Sequence, residues 1–471
     1  MWARLDGHFA PFICSDTELL HGEAGGIRWG MKLPLNFLTA ILALGCAQLS
    51  AETVKDREGA VRKDRATMEN DARWIYNDVD RGFSEAAKSG KPLLVVLRCV
   101  PCVACAGIDA SVLTETSLAP LLDRFVCVRL INANALDLQK FQFDYDLSFS
   151  AMMFHCDGTV LGRFGSWTHQ KDAQNTTIAG LRCTLEASLA LHSGYPGNKM
   201  ALAGKQGGVL PFKTPIEFPL LSGKYRSGLD WEGKVVQSCV HCHQIGDAIR
   251  THFRDAGQAI PAEMVYPMPA PETLGFTLSP DHAARITNVV AGSPAALAGF
   301  QIGDDLTVIA GQSLISIADA SWALHRAPES GRLPSVIQRE GKAISMSLVL
   351  PAGWRQKTDI SRRVGTWPMR AMATGGMTLE DLPDADRTAH GLDSNGLSLL
   401  VKGVGQYGKH AAAKNAGFQK NDVIVKVDGD ATRRTEGEFI GWLIQQRRPG
   451  DKVPVTVLRG QKRIELKLPM Q

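Results

Sequence analysis

Lys91-Pro92-Leu93-Leu94-Val95-Val96-Leu97-Arg98-Cys99-Val100-Pro101-Cys102-Val103-Ala104-Cys105 is the stretch on which the reading of this chain turns. Leu93 to Leu97 are apolar without alternation, the pattern of a strand buried on both faces in a parallel sheet. Upstream, Trp74, Ile75, Phe83 and Ala86 fit one helical stripe. Downstream, Ile108, Val112, Leu118, Leu121, Leu122 and Phe125 fit another, ahead of a strand from Val126 to Ile131. A further strand, Ala151 to His155, runs into Asp157-Gly158 as a hairpin turn. Strand and helix signals that alternate in this way imply an α/β layered fold. Cysteines set where a strand gives way to a helix gain acidity from the helix N-terminus, and the thiolate is the nucleophile.

These residues resemble the thioredoxin superfamily, in particular the branch that reads Lys-Pro, apolar strand, Cys-x-x-Cys, helix and second strand; the resemblance covers about 100 residues of the stretch 73–193. Two Cys-x-x-Cys pairs overlap, Cys99/Cys102 and Cys102/Cys105. In that family the spacing from the Lys-Pro lysine to the first working cysteine equals the spacing from Lys91 to Cys102. The resemblance therefore implies Cys102 as the attacking thiol, Cys105 as the resolving one and Cys99 as a third thiol. The family carries a cis-proline before its next strand, whereas Phe149-Ser150 stands here. Without that proline the cysteines open to metal, and three thiols suit a soft ion such as Cu(I). Dithiol exchange, metal binding and a retired site all stay open, and Cys127, Cys156 and Cys183 read as core.

Near the middle of the chain, Cys239-Val240-His241-Cys242-His243 spells C-x-x-C-H. With 10 cysteines and 12 histidines in 471 residues, random placement yields such a string roughly 0.005 times. If residues 238–246 open a helix, both thiols and His243 share one side, as covalent haem requires: the thiols add to the vinyl groups and His243 binds the iron. A zinc site and a plain dithiol are the alternatives, and His252 and His282 lack the zinc-knuckle spacing. The stretch resembles the haem c attachment site of class I c-type cytochromes, which implies Met268 in Tyr266-Pro267-Met268-Pro269-Ala270 as the second axial ligand, with Met264 in reserve.

An internal repeat follows. Ala298-Gly299-Phe300-Gln301-Ile302-Gly303-Asp304-Asp305-Leu306 recurs as Ala416-Gly417-Phe418-Gln419-Lys420-Asn421-Asp422-Val423-Ile424, each between two expected strands. Both copies resemble bacterial PDZ domains. The resemblance implies that Leu274, Gly275 and Phe276 form a loop whose N–H groups receive a peptide carboxylate, the peptide adding to a sheet edge. Gly376 and Met377 are the looser counterparts in the second copy. Such domains accompany serine proteases, yet no Gly-x-Ser-x-Gly elbow occurs, so protease activity is not expected.

Net charge is +4 without a basic cluster, so nucleic acid is not an expected partner. Met31-Lys32, an apolar stretch to Leu44 and the small-residue exit Leu49-Ser50-Ala51 read as a secretory signal peptide. Residues 1–30 then read as a gene-start artefact, and Cys46 sits in a degenerate lipoprotein box that would anchor the chain to a membrane. The expected order is signal peptide 31–51, tether 52–72, thioredoxin-like domain 73–193, connector with the haem motif 194–270, PDZ-like domain 271–352, linker 353–373 and a second PDZ-like domain 374–471. The fold class is thus multidomain: an α/β thioredoxin-like fold, a CxxCH connector and two β-rich PDZ-like domains. This order looks like the thioredoxin/PDZ fusion proteins of some bacteria. It implies an exported, periplasmic or surface thiol-disulfide protein with covalent haem c that recruits partners by their C-terminal or extended peptides. The rival reading is a non-enzymatic PDZ scaffold, or a haem- or metal-binding sensor with an inactive thioredoxin-like domain.

Overall fold

The computed structural model describes residues 56–100, 115–147, 149–165, 177–361 and 363–471. The expected signal peptide, Cys46, Cys102 and Cys105 lie outside them.

The first module is a sheet in the order β1-β3-β2-β4-β5, formed by Trp74–Tyr76 (β1), Leu93–Arg98 (β2), Val126–Leu130 (β3), Phe149–Phe154 (β4) and Val160–Phe164 (β5). β1, β3 and β2 are parallel; β4 and β5 run antiparallel to their neighbours. Every residue of β2 is buried, as its unbroken apolar run requires. Trp74 and Ile75 are a strand rather than the start of a helix, because both already sit in ladder register with Cys127 and Val128. The helix begins later, at Val79, where the Asp78 side chain accepts the Arg81 N–H, and it stops at Gly90 in the left-handed region. On one face of the sheet Phe83 and Ala86 meet Val95, Met152 and Phe154. On the other lies the helix Ile178–Ser193, capped by Thr177. Its Leu181, Leu185 and Leu189 bury against Leu94, Val96 and Met153, each worth roughly 1.5–3 kcal/mol relative to exposure. Cys127 is buried and Cys156 half-buried, as core residues; Cys183 is buried too, but it is disulfide-bonded rather than a plain core residue.

The segment read as a tether contributes a helix, Arg57–Met68, although it lacks an apolar stripe. Val61 buries with Ile131 and Val235, and the Arg62 guanidinium donates to the carbonyls of Trp231 and Gly233. Arg65 lies 4.6 Å over the ring of Trp231. Polar contacts with the connector do what apolar periodicity does elsewhere.

The PDZ-like modules repeat one plan. The first has a pair, Phe276–Leu278 (β6) and Ile286–Val289 (β7), and a sheet in the order β11-β10-β8-β9 from Asp305–Ile309 (β8), Gln312–Ser313 (β9), Gly331–Arg339 (β10) and Lys342–Leu350 (β11). The second joins Met377–Asp381 (β12), Leu399–Val404 (β13), Val423–Val427 (β14), Lys452–Arg459 (β15) and Lys462–Pro469 (β16) in sequence order. The repeated motif explains itself twice. Asp304, buried, accepts the Gln301 N–H and two bonds from Arg339; Asp422, buried, accepts the Gln419 N–H and two from Arg459.

Buried charges lock the modules together. Lys205 Nζ meets Asp319 Oδ2 at 2.5 Å with both side chains 1% exposed, and the other Asp319 oxygen accepts the Arg163 N–H of β5. Arg363, between the PDZ-like modules, reaches back to Asp144 and Asp146 at 2.5 and 2.9 Å. Arg254 of the connector donates to the carbonyls of Arg447 and Gln471 in the second PDZ-like module. Each such pair costs desolvation, which only a fully bonded arrangement offsets, so together they select one packing. No helix of the described residues is long and apolar enough to cross a membrane.

Candidate thiol centre and peptide grooves

β2 ends at Arg98, and Cys99 follows, buried against the sheet. Leu97 pairs with Ser150 and Arg98 with Phe149 in an unbroken antiparallel ladder, so the place expected to lack a cis-proline is regular strand. The connector then brings in a second set of thiols. Its helix spans Cys242–Asp255 and does not include Cys239, unlike the expected helix over 238–246. The reason is local: the Val240 N–H donates to Asn134 Oδ1 at 2.7 Å, and the Cys239 thiol donates to the Ile131 carbonyl at 3.4 Å. Residues 239–241 are thereby held against the end of β3, outside the helix. The His241 N–H donates to Gln244 Oε1, and Gln244 in turn bonds Tyr225, which fixes the helix start. His241 Nδ1 then lies 3.2 Å from Cys99 Sγ. Cys242 is buried in the apolar cluster with Leu97, Phe141, Phe143 and Met152. One cavity of about 20 Å³ is walled by Cys99, Cys239, His241 and Cys242 together.

A porphyrin does not fit this arrangement. The cavity between the thiols is about 20 Å³, whereas a site for a cofactor of that size needs several hundred Å³, on the order of 300–1,000 Å³. His243 points elsewhere: its Nδ1 lies 3.6 Å from Asp247, whose other oxygen accepts from Arg250. Met268, with φ +46, donates its N–H to His325 Nδ1 and lines two other cavities with Phe143 and Asp144; His243 lines neither. Met264 lines the second of these. Among the described residues no group of three or more His, Cys, Asp or Glu is arranged to hold a metal ion.

Leu274 and Phe276 are fully buried, and Gly275 between them has φ +84 with Ser293 so close that a Cβ would meet it at 2.2 Å. The Gly275 N–H donates to the Glu272 carbonyl, so the loop turns on an internal bond. Among the described residues β6 is paired on one side only, with β7. Beside this loop lies a cavity of about 280 Å³ walled by Glu272 and Thr273, by Ala318 and Ser321 of the helix Ile317–His325, and by Ser150 and Arg163 of the thioredoxin-like sheet. In the second PDZ-like module the equivalent space is filled from within. Met369 and Ala373 of the helix Thr366–Thr374 pack with Met377, Leu379, Phe439 and Leu443. Glu436 accepts the Leu379 N–H of edge strand β12 at 2.8 Å and pairs with Arg370. Gly376, φ +86, donates its N–H to the Arg370 carbonyl, and Met377 is core.

His241 and the internal ligand Glu436 escaped the sequence reading. His241 occupies a variable position of its motif, and Glu436 reads as an ordinary helix-start carboxylate.

Comparison with known families agrees with this division. A thioredoxin-like family model matches residues 74–155, and PDZ domain models match residues 285–339 and 401–470. No curated protein matches the chain. Among solved structures, the serine endoprotease from Yersinia pestis is 19% identical over 14% of this chain and 25% of its own, with a TM-score of 0.14. The HtrA-type protease AlgWS227A with decapeptide is 16% identical over 40% and 53%, with a TM-score of 0.21. AlgW with tripeptide is 13% identical over 40% and 58%, with a TM-score of 0.20. The chain thus spans from a quarter to little more than half of these proteins. The chain is a multidomain protein with one thioredoxin-like domain and two PDZ domains.

Proposed function

We propose that the protein is an exported thiol-disulfide exchange protein whose first PDZ domain recruits peptide segments of its partners. The observation that carries this reading is the cavity of about 280 Å³ between the two domains, with Thr273 and Ser321 on one wall and Ser150 and Arg163 on the other. A peptide held there lies against Ser150 and Arg163 of the sheet whose strand β2 leads into Cys99. Export rests on the charged start and apolar run of residues 31–51. The working pair in this reading is Cys102 and Cys105.

Exchange proceeds through a mixed disulfide on the first cysteine, which the second resolves. Cys105→Ser therefore accumulates a trapped mixed disulfide through Cys102 with a model protein disulfide, while Cys99→Ser still turns over. Trapping on Cys99, with full activity in Cys105→Ser, moves the pair to Cys99/Cys102. Ser150 in place of the expected proline favours a second reading, a PDZ scaffold with an inert thioredoxin-like domain. Absence of turnover on every disulfide tried selects it.

A further inference from the structure

We infer that Cys99, Cys239 and Cys242 form a second thiol centre, in which a disulfide passes between the connector and the thioredoxin-like sheet with His241 carrying the proton. The inference rests on the thiol-exchange reading above and gives the C-x-x-C pair of the connector a role other than haem attachment. Its basis is one small cavity walled by the three sulfur-bearing residues and an imidazole, drawn from two elements far apart in sequence. His241 Nδ1 lies 3.2 Å from Cys99 Sγ, within reach for taking its proton.

The two connector thiols are not equivalent. Cys239 is half-buried and precedes the helix; Cys242 is the first residue of a 14-residue helix. A thiolate at a helix start is the better leaving group, because the N-terminal N–H groups and dipole stabilise it. With the connector pair oxidised, His241 takes the Cys99 proton and the Cys99 thiolate attacks Cys239 Sγ. The Cys239–Cys242 bond breaks as the Cys99–Cys239 bond forms, and Cys242 leaves as thiolate and recovers the proton from His241. One S–S bond is lost and one gained, so this step needs no outside oxidant. The disulfide enters by exchange with a disulfide of a partner protein. Glutathione disulfide serves as probe for that entry: two protein thiols give up two electrons and two protons, and two glutathione molecules leave reduced.

The test uses the full chain carrying Cys242→Ser. After exposure to glutathione disulfide, rapid alkylation and non-reducing digestion, mass spectrometry is expected to find Cys99 linked to Cys239 as the main product; wild type gives Cys239–Cys242. Adding His241→Ala is expected to slow the Cys99–Cys239 link on the order of a hundredfold, the low end of what a positioned base supplies. Should Cys242→Ser unfold, Cys242→Ala replaces it, being apolar like its surroundings. The inference is overturned if Cys239 in folded Cys242→Ser carries only glutathione while Cys99 stays unlinked. It is equally overturned if wild type from a host that matures c-type cytochromes carries haem mass on the Cys239/Cys242 peptide. Either outcome alongside continued turnover through Cys102 sinks this inference and leaves the exchange reading standing; loss of turnover with the link present does the reverse.

Discussion

Cys99 and His241, 142 residues apart in the chain, meet at 3.2 Å between sulfur and Nδ1. The contact joins the end of β2 to the start of the connector helix, so Cys99 and the C-x-x-C pair of the connector share one environment. It exists because Asn134 holds Val240 by its N–H and also donates to the carbonyls of Arg226 and Ser238, pinning the connector to the sheet.

The junction between the thioredoxin-like and first PDZ domains depends on Lys205 and Asp319. Burial pushes the Lys205 ammonium down, and Asp319 opposes that shift. Lys205→Met leaves a buried carboxylate with its ammonium partner gone and is expected to cost about 3–5 kcal/mol. Urea unfolding of the full chain measures it; a loss under 1 kcal/mol would show that the contact does not hold the domains.

The duplicated Asp–Arg pair should behave alike in both PDZ domains. Asp422→Asn and Asp304→Asn each remove the charge that orients Arg459 or Arg339 and weaken the acceptor for a loop N–H. Because both arginines are partly exposed, the expected loss is about 2 kcal/mol apiece. Thermal unfolding of the two variants is the check, and a cost confined to one of them contradicts the shared role.

His325 makes stability fall in mild acid. Burial, with Arg355 and Arg326 nearby, pushes its imidazole down to about 3, and its Nδ1 accepts the Met268 N–H. The unfolded chain takes up the proton near the ordinary value of 6.5, so this contribution is intact above that pH and lost below it. The loss is about 1.4 kcal/mol for each pH unit. His325→Asn should flatten the slope between pH 6.5 and 5 relative to wild type; equal slopes would remove His325 as its source.

Peptide binding should separate the two PDZ domains. Peptides ending in a free carboxylate are expected to bind the first domain, and amidation should remove most of the affinity in calorimetric titration. The second is expected to bind at least tenfold more weakly, since Glu436 and the helix Thr366–Thr374 already occupy β12; tenfold corresponds to about 1.4 kcal/mol. Equal affinities, or no loss on amidation, would refute this.

Much of the architecture was legible without coordinates. The unbroken run Leu93–Leu97 could only be a buried central strand, and the Ala-Gly-Phe repeat marked two copies of one β-rich unit, because short-range periodicity reports directly which faces are buried. What failed was local where tertiary bonds overrode pattern. Trp74-Ile75 is strand because β3 offers it a ladder, and Arg57–Met68 packs as a helix through Arg62 and Arg65 rather than through an apolar stripe.

The amino-acid sequence alone determined the order of modules and the two cysteine motifs, since turns, strands and C-x-x-C spacings are properties of neighbouring residues. Only the tertiary structure decided that Cys239 and Cys242 face Cys99 across a cavity of about 20 Å³, that Met268 lies in another cavity, and that the second PDZ groove is filled from within. Those relationships join residues tens to hundreds of positions apart. They are set by the few buried hydrogen bonds and ion pairs that every module must satisfy at once, which no local pattern encodes.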